Sequence, residues 1–151
     1  MEIERKFLVN GELWSPVEEG TRIAQGYLST APHRTVRVRV KGKRGYLTVK
    51  GKNQGISRQE FEYEVPRWDA EGMLALCEPP IIEKKRYREE IAGHLWEVDV
   101  FEGENEGLIL AEIELFHEEE EFEPPKWLGE EVSGDSRYYN SNLSQHPFKE
   151  W

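Results

Sequence analysis

The chain is poor in sulfur. It has one cysteine, Cys77, and two methionines in 151 residues. A single thiol excludes a disulfide framework and a cysteine zinc site, and it suits a reducing cytoplasm. No apolar run approaches the ~18 residues that cross a bilayer. The start, Met1 to Val9, has no basic segment followed by an apolar core, so it does not read as a secretory signal. The four histidines, His33, His94, His117 and His146, show no metal-ligand spacing, and no glycine-rich phosphate loop of the G-x-x-x-x-G-K-[ST] type occurs. Positive charge is also in deficit: 20 basic against 30 acidic residues leave a net charge of −10. That balance argues against a general nucleic-acid grip, which needs local positive charge, but not against a small anion in a basic pocket.

What is abundant is charge in a strand pattern. Charged residues make up 33% of the chain, and alternation with period two dominates it. In residues 35–41 Val36, Val38 and Val40 share one face, while Arg37, Arg39 and Lys41 share the other. Phe61, Tyr63 and Val65 oppose Glu60, Glu62 and Glu64. Trp96, Val98 and Val100 oppose Glu97 and Asp99, and Ile109, Ala111, Ile113 and Leu115 oppose Glu112 and Glu114. About eight strands are expected, with a hairpin turn at Gly42 to Gly45. Helices are expected over Pro66 to Glu78, Pro124 to Gly129 and roughly Ser136 to Ser144. The whole of residues 1–151 reads as one domain.

Charges of one sign sit two apart on the same face: Glu2 and Glu4, Arg37 and Arg39, Glu60 and Glu62, Lys84 and Arg86, Glu97 and Asp99, Glu112 and Glu114. Residues at i and i+2 of a strand are neighbours, and like charges placed together repel. A solvated face gains nothing from sorting its charges this way. A site that grips a polyanion with Arg and Lys, and a hard cation with carboxylates, does. If the sheet closes, these faces line a barrel interior wide enough for one small ligand. Periodicity by itself leaves open an ordinary sandwich with charged outer faces.

The run Glu2-Ile3-Glu4-Arg5-Lys6 carries the E-x-E-x-K signature, and the later pairs follow in order: Arg37-x-Arg39, Lys50, Glu60-x-Glu62, Lys84-x-Arg86, Glu97-x-Asp99 and Glu112-x-Glu114. With the tail Gly129 to Asn140, this ordered set resembles the CYTH superfamily of triphosphate tunnel metalloenzymes, and within it the bacterial inorganic triphosphatases. The resemblance implies a mainly β (α+β) fold: an eight-stranded antiparallel closed barrel with a charged lumen and a few short helices packed outside. It implies Mg²⁺ or Mn²⁺ held by Glu2, Glu4, Glu112 and Glu114. It implies a small-molecule triphosphate bound by Lys6, Arg37, Arg39, Lys50, Lys84 and Arg86. Glu60, Glu62 and Asp99 would set the rotamers of these cations, and one of them would orient or deprotonate the attacking water. Lys52 is an alternative to Lys50, Lys41 reads as a turn residue, and Arg137 and Tyr138 are candidates to cap the tunnel mouth. Neither nucleic acid nor membrane is an expected partner, and a homodimer is compatible with the sequence although no interface is marked. A nucleoside triphosphatase or class IV-type adenylate cyclase on the same barrel, a phosphate-binding module without turnover, and a structural β-domain are the competing readings.

Overall fold

The computed structural model describes residues 2–151. Ten strands are present: β1 (Glu2–Val9), β2 (Thr21–Ser29), β3 (Arg34–Lys41), β4 (Arg44–Gly51), β5 (Ser57–Arg58), β6 (Glu60–Val65), β7 (Ile82–Ile91), β8 (His94–Phe101), β9 (Ile109–Glu114) and β10 (Leu128–Glu131). Two α-helices, α1 (Arg67–Leu74) and α2 (Asn140–Gln145), accompany them. All pairings are antiparallel, in the order β10-β1-β9-β8-β7-β2-β3-β4-β6. Glycines set the hairpins. Gly42 at φ 58° opens the two-residue loop between Lys41 and Arg44. Ala92 (φ 49°) and Gly93 (φ 81°) form the loop between β7 and β8, with the two left-handed residues that a type I′ turn requires.

The far end of this path returns to its beginning. β5 is separated from β6 by Gln59 alone, and it pairs with β1 through Glu2↔Arg58 and Ile3↔Ser57. The Glu4 amide adds a hydrogen bond of 3.2 Å to the Ile56 carbonyl. With β5 and β6 taken as one interrupted strand, the expected eight staves surround a common interior. The seam is short, however. Beyond Glu4 the same edge of β1 turns to β10, through Phe7↔Glu131 and Val9↔Leu128, so β6 is paired only with β4. This edge is why Pro124 to Gly129 is not a helix: Trp127 is buried, its carbonyl accepts from the Asn10 amide, and Leu128 continues as a strand. Pairing an open strand edge outweighs a weak local helical signal.

Three apolar clusters hold the barrel. Phe7, Trp96, Val98, Ala111, Ile113 and Trp127 pack on the outside of β1, β8 and β9, beneath the strap that follows β9. Val38, Ala70 and Cys77 form a second outer cluster, where α1 lies against β3 and β4. Gly45 permits that approach, since a Cβ there would stand 2.7 Å from the Ala70 Cβ. The third cluster, with Tyr27, Ile82, Phe101, Leu110, Tyr138 and Leu143, is inside the barrel. Its strand residues follow the register of the charged faces, Phe101 opposite Lys84 and Leu110 opposite Asp99. The expectation of helices packed only outside is therefore corrected. α1 is outside, but α2 and the turn before it plug one end of the interior, because an eight-stranded barrel is narrow enough for side chains to fill. The outer face of β6 lies beyond the reach of α1, which leaves Phe61 and Tyr63 51% and 63% exposed.

Trp96 is fully buried, with edge-on contacts to Phe122 and Trp127. Trp96→Ala is expected to cost about 3–5 kcal/mol by urea denaturation. A loss under ~1 kcal/mol would show that the strap contributes little to the barrel.

Candidate functional site

Above the apolar plug lies a polar cavity of about 270 Å³. Its charged lining is evenly divided: Lys6, Arg37, Arg39, Lys41, Lys50, Arg58 and Arg86 against Glu2, Glu4, Glu60, Glu62, Glu97, Glu112 and Glu114. A net-acidic chain has thus gathered seven cations into one concavity. Strand register brings them there. Glu4 is opposite Glu114, Lys6 opposite Glu112, Glu112 opposite Glu97, and Arg86 opposite Asp99. The sorting of like charges visible along each strand therefore becomes a division of the interior, with acids side by side on β1, β9 and β8 and cations on β7, β3 and β4.

Most cavity cations already have a carboxylate. Lys50 Nζ is 3.0 Å from Glu2 and 3.8 Å from Glu60. Arg39 is 3.3 Å from Glu62, and Lys6 is 3.6 Å from Glu112 while donating to the Tyr138 carbonyl at 3.1 Å. Arg86 grips Asp99 with two bonds of 2.8 and 2.9 Å and reaches Glu97 at 3.5 Å and Glu112 at 4.0 Å. Among the described residues Lys41 and Arg37 are the exceptions, and Arg37 is the more deeply buried of the two. Arg37 makes a long contact of 3.4 Å with Thr48, and its Nε has no partner.

Lys84, expected among the phosphate ligands, does not line the cavity but pairs with Asp99, which contacts cations as expected of it. The two lie 2.6 Å apart, below the cavity lining, and Lys84 is fully buried against the Phe101 ring. Burial pushes the Lys84 amine down to about 8, with Asp99 opposing the shift. Burial disfavours charge on Asp99 too, yet Arg86 and Lys84 hold its carboxyl far below the usual range. A carboxylate so occupied is a poor proton acceptor, and its place is to fix the two cations. Glu60 and Glu62, by contrast, line the cavity. Burial raises the Glu60 carboxyl, and Lys50 opposes that shift.

The carboxylate quartet is electrostatically divided. Against the penalty of burial, Lys6 and Arg86 hold Glu112 down at about 2, and Lys50 lowers Glu2. Burial and the charges of Glu112 and Glu2 push Glu4 up to about 8, and Glu114 is raised by burial, Glu2 and Glu97. Oxygens crowded in this way, with too little positive charge nearby, fit a hard divalent cation. Among the described residues no three acidic, imidazole or thiol groups already converge into a metal cage. Mg²⁺ tolerates such a set, because it keeps waters and shares its coordination with substrate phosphates.

Lys50, not Lys52, faces the cavity, and Lys41 joins it rather than remaining a solvated turn residue. Tyr138 is in the apolar plug, and Arg137 pairs with Asp135 at 2.7 Å outside the cavity; Ser133, Tyr139 and Asn140 line it instead. Arg58 and Tyr27 are lining residues that the charge pairs do not reveal. Arg58 had a signal, since it continues the even-numbered face of Glu60 and Glu62. Tyr27, uncharged on a mixed strand, had none.

The raised Glu4 carboxyl has a consequence for stability. Between its ordinary value of 4.5 and about 8, the folded chain keeps a proton that the unfolded chain has lost. The contribution is complete below the unfolded value and lost as pH rises through the folded one. In buffer with chelator, the urea midpoint is expected to fall from pH 5 to 8.5, and Glu4→Gln to flatten that slope. Parallel profiles for the two proteins would contradict this account.

The CYTH domain family matches residues 1–145. An inorganic triphosphatase of Acetivibrio thermocellus is 52% identical over 149 residues, covering 98% of this chain and 96% of that protein. An inorganic triphosphatase of Nitrosomonas europaea is 38% identical over 151 residues, covering 95% and 96%. The crystal structure of the inorganic triphosphatase NE1496 superposes with a TM-score of 0.69 at 35% identity, over 95% of this chain and 94% of that one. The PH1012 protein of Pyrococcus horikoshii, 23% identical, shares the fold with a TM-score of 0.61 over 78% of this chain and 79% of that one. On the match across nearly its whole length and on these relatives, the chain belongs to the CYTH family.

Proposed function

We propose that residues 1–151 act as one tunnel domain that hydrolyses a linear triphosphate, inorganic tripolyphosphate foremost, to orthophosphate and diphosphate. The observation that carries this reading is the cavity itself, where seven cations face seven carboxylates and Glu4 is pushed up to about 8 by burial and by its acidic neighbours. A non-catalytic anion binder needs the cations but gains nothing from acids crowded beside its ligand. The two curated relatives described above are inorganic triphosphatases, and this supports the same substrate here.

Glu2, Glu4, Glu112 and Glu114 would hold the divalent cation. Their all-oxygen set suits Mg²⁺ or Mn²⁺. Such an ion supplies neutralisation of phosphoryl oxygens and orientation of water. The rest of the work falls to the chain. Lys6, Arg37, Arg39, Lys50 and Arg86 bind the phosphoryl oxygens, and Arg does so as a planar fork. Glu62 holds the Arg39 guanidinium at 3.3 Å, and Asp99 holds that of Arg86 at 2.8 Å, so two forks are aimed before substrate arrives. Lys84 supports Asp99 from below and acts through it. Glu60, raised by burial, is the cavity carboxylate suited to accept a proton from the attacking water. The water oxygen bonds to a terminal phosphorus in line with the breaking P–O anhydride bond, and diphosphate leaves. Cys77, unpaired, suits a cytoplasmic setting, and among the described residues no helix is long and apolar enough to cross a membrane.

The test is orthophosphate release from tripolyphosphate with Mg²⁺, with Mn²⁺ and with chelator. Metal-dependent release is expected, and Glu4→Ala or Arg37→Ala should lower kcat/KM by about 100-fold or more. A folded protein that releases no orthophosphate with either metal would refute the reading, and a cyclic nucleotide from ATP would replace it with a cyclase.

A further inference from the structure

We propose that Gln25 is a positioning residue for the triphosphate: from beneath the cavity, its neutral carboxamide backs the Arg39 guanidinium and leaves that group's positive charge to the substrate. The proposal deepens the triphosphatase reading and rests on it. Gln25 is fully buried in β2, and it does not line the cavity. Among the described residues neither its Oε1 nor its Nε2 has a hydrogen-bond partner. A buried amide without partners costs stability, so a specific role is expected where one persists. Gln25 is directly opposite Arg39 in the β2–β3 register and opposite the apolar Ile82 in the β2–β7 register. The diagonal neighbours on its face are Arg37 and Lys41 of β3 and Lys84 of β7. Every charged neighbour on the two flanking strands is therefore a cation.

Arg39 shows the matching need. Its Nε is buried and unbonded, and its one close polar partner among the described residues is Glu62 at 3.3 Å, a carboxylate that is itself partly exposed. Burial pushes the guanidinium down to about 10, and the charges of Arg37 and Arg86 push the same way. A buried donor and a buried acceptor, both unbonded, thus stand across one rung of the sheet. An amide oxygen can accept the Nε–H and orient the fork. A carboxylate at the same place would also cancel the charge, as Asp99 does for Arg86 at 2.8 Å. The other arginine of β3 is backed alike. Arg37 is directly opposite Thr48, whose fully buried, neutral hydroxyl accepts from it at 3.4 Å. Neutral partners behind both forks keep the attraction for an anion that a carboxylate would repel.

The test compares Gln25→Glu, which keeps the shape and adds one charge, with Gln25→Met, which keeps the length and removes the polar atoms. Each is followed by kinetics, by calorimetric binding of tripolyphosphate and by melting temperature without ligand. Gln25→Glu is expected to raise KM and weaken affinity by about tenfold or more, with kcat changed less. Its melting temperature should hold or rise, because the new carboxylate has only cations as charged neighbours on the flanking strands. Gln25→Met is expected to weaken affinity by about threefold. A residue that only packs would give the reverse pattern, a lower melting temperature in Gln25→Glu with KM and affinity unchanged. Wild-type affinity in either variant would overturn the proposal, as would a Gln25→Glu protein that melts lower or does not fold. If the wild-type protein binds tripolyphosphate without hydrolysing it, the affinities still decide the role of Gln25, and only the triphosphatase reading falls. A wild-type protein that neither binds nor hydrolyses tripolyphosphate would overturn both.

Discussion

Asp99 is the point on which the interior of this barrel depends. It is almost fully buried, and it neutralises Lys84 at 2.6 Å and Arg86 at 2.8 Å. Buried cations without a counter-charge are prohibitively costly, and a pair is tolerated only when geometry and hydrogen bonding are good. One carboxylate at the base of the cavity therefore makes it possible for a small barrel to carry positive charge inward. Arg86 passes the arrangement upward to Glu97 and Glu112, and Glu112 passes it across to Lys6. The result is a connected set of charges whose deeper members are neutralised and whose upper members are only partly so.

That gradient separates structure from chemistry. Toward the plug, ion pairs are close and packed against the Phe101 and Leu110 side of the inner cluster. Toward the opening, Glu4 is crowded by acids, and Arg37 has no carboxylate within bonding reach. Unbalanced charge is unfavourable in the free protein and favourable toward a ligand that balances it. A divalent cation and a triphosphate supply both missing signs, and ligand binding then adds stability by mass action.

Closure ties the same chemistry to the fold. The last stave meets the first through only two residue pairs. The rest of the β1 edge is taken by β10, which also brings Ser133 and the plug residues into place. A fully laced seam would give a stiffer barrel but would leave no room for the turn at Asn53 to Ile56 to form a wall. The acidic strap after β9 serves this arrangement as well. Glu118 accepts from Ser57 at 2.9 Å beside the seam, and Glu120 holds His94 at 2.6 Å. Two glutamates of this segment thus pin two edges.

Much of the site was legible from strand alternation, because side chains two apart must share a face whatever the tertiary fold. That local rule identified Arg37 with Arg39, Glu112 with Glu114 and Glu2 with Glu4 as faces of one sign, and it marked the apolar faces that Trp96, Ala111 and Ile113 bury. It did not carry depth. Lys84 and Arg86 have the same period and charge, yet one is sealed beneath the cavity and the other lines it, because shear and the C-terminal plug decide where the lumen ends. Nor could it find residues committed by long-range pairing: Leu128 becomes a strand only because the β1 edge is free, and Tyr27 enters the site only through its register with Arg37. Alternation, charge sign and turn glycines are properties of a few neighbouring residues, so the sequence alone determines them. Closure, the inner plug and the division between paired and unpaired charge depend on contacts between residues far apart in the chain, and only the tertiary structure decides those.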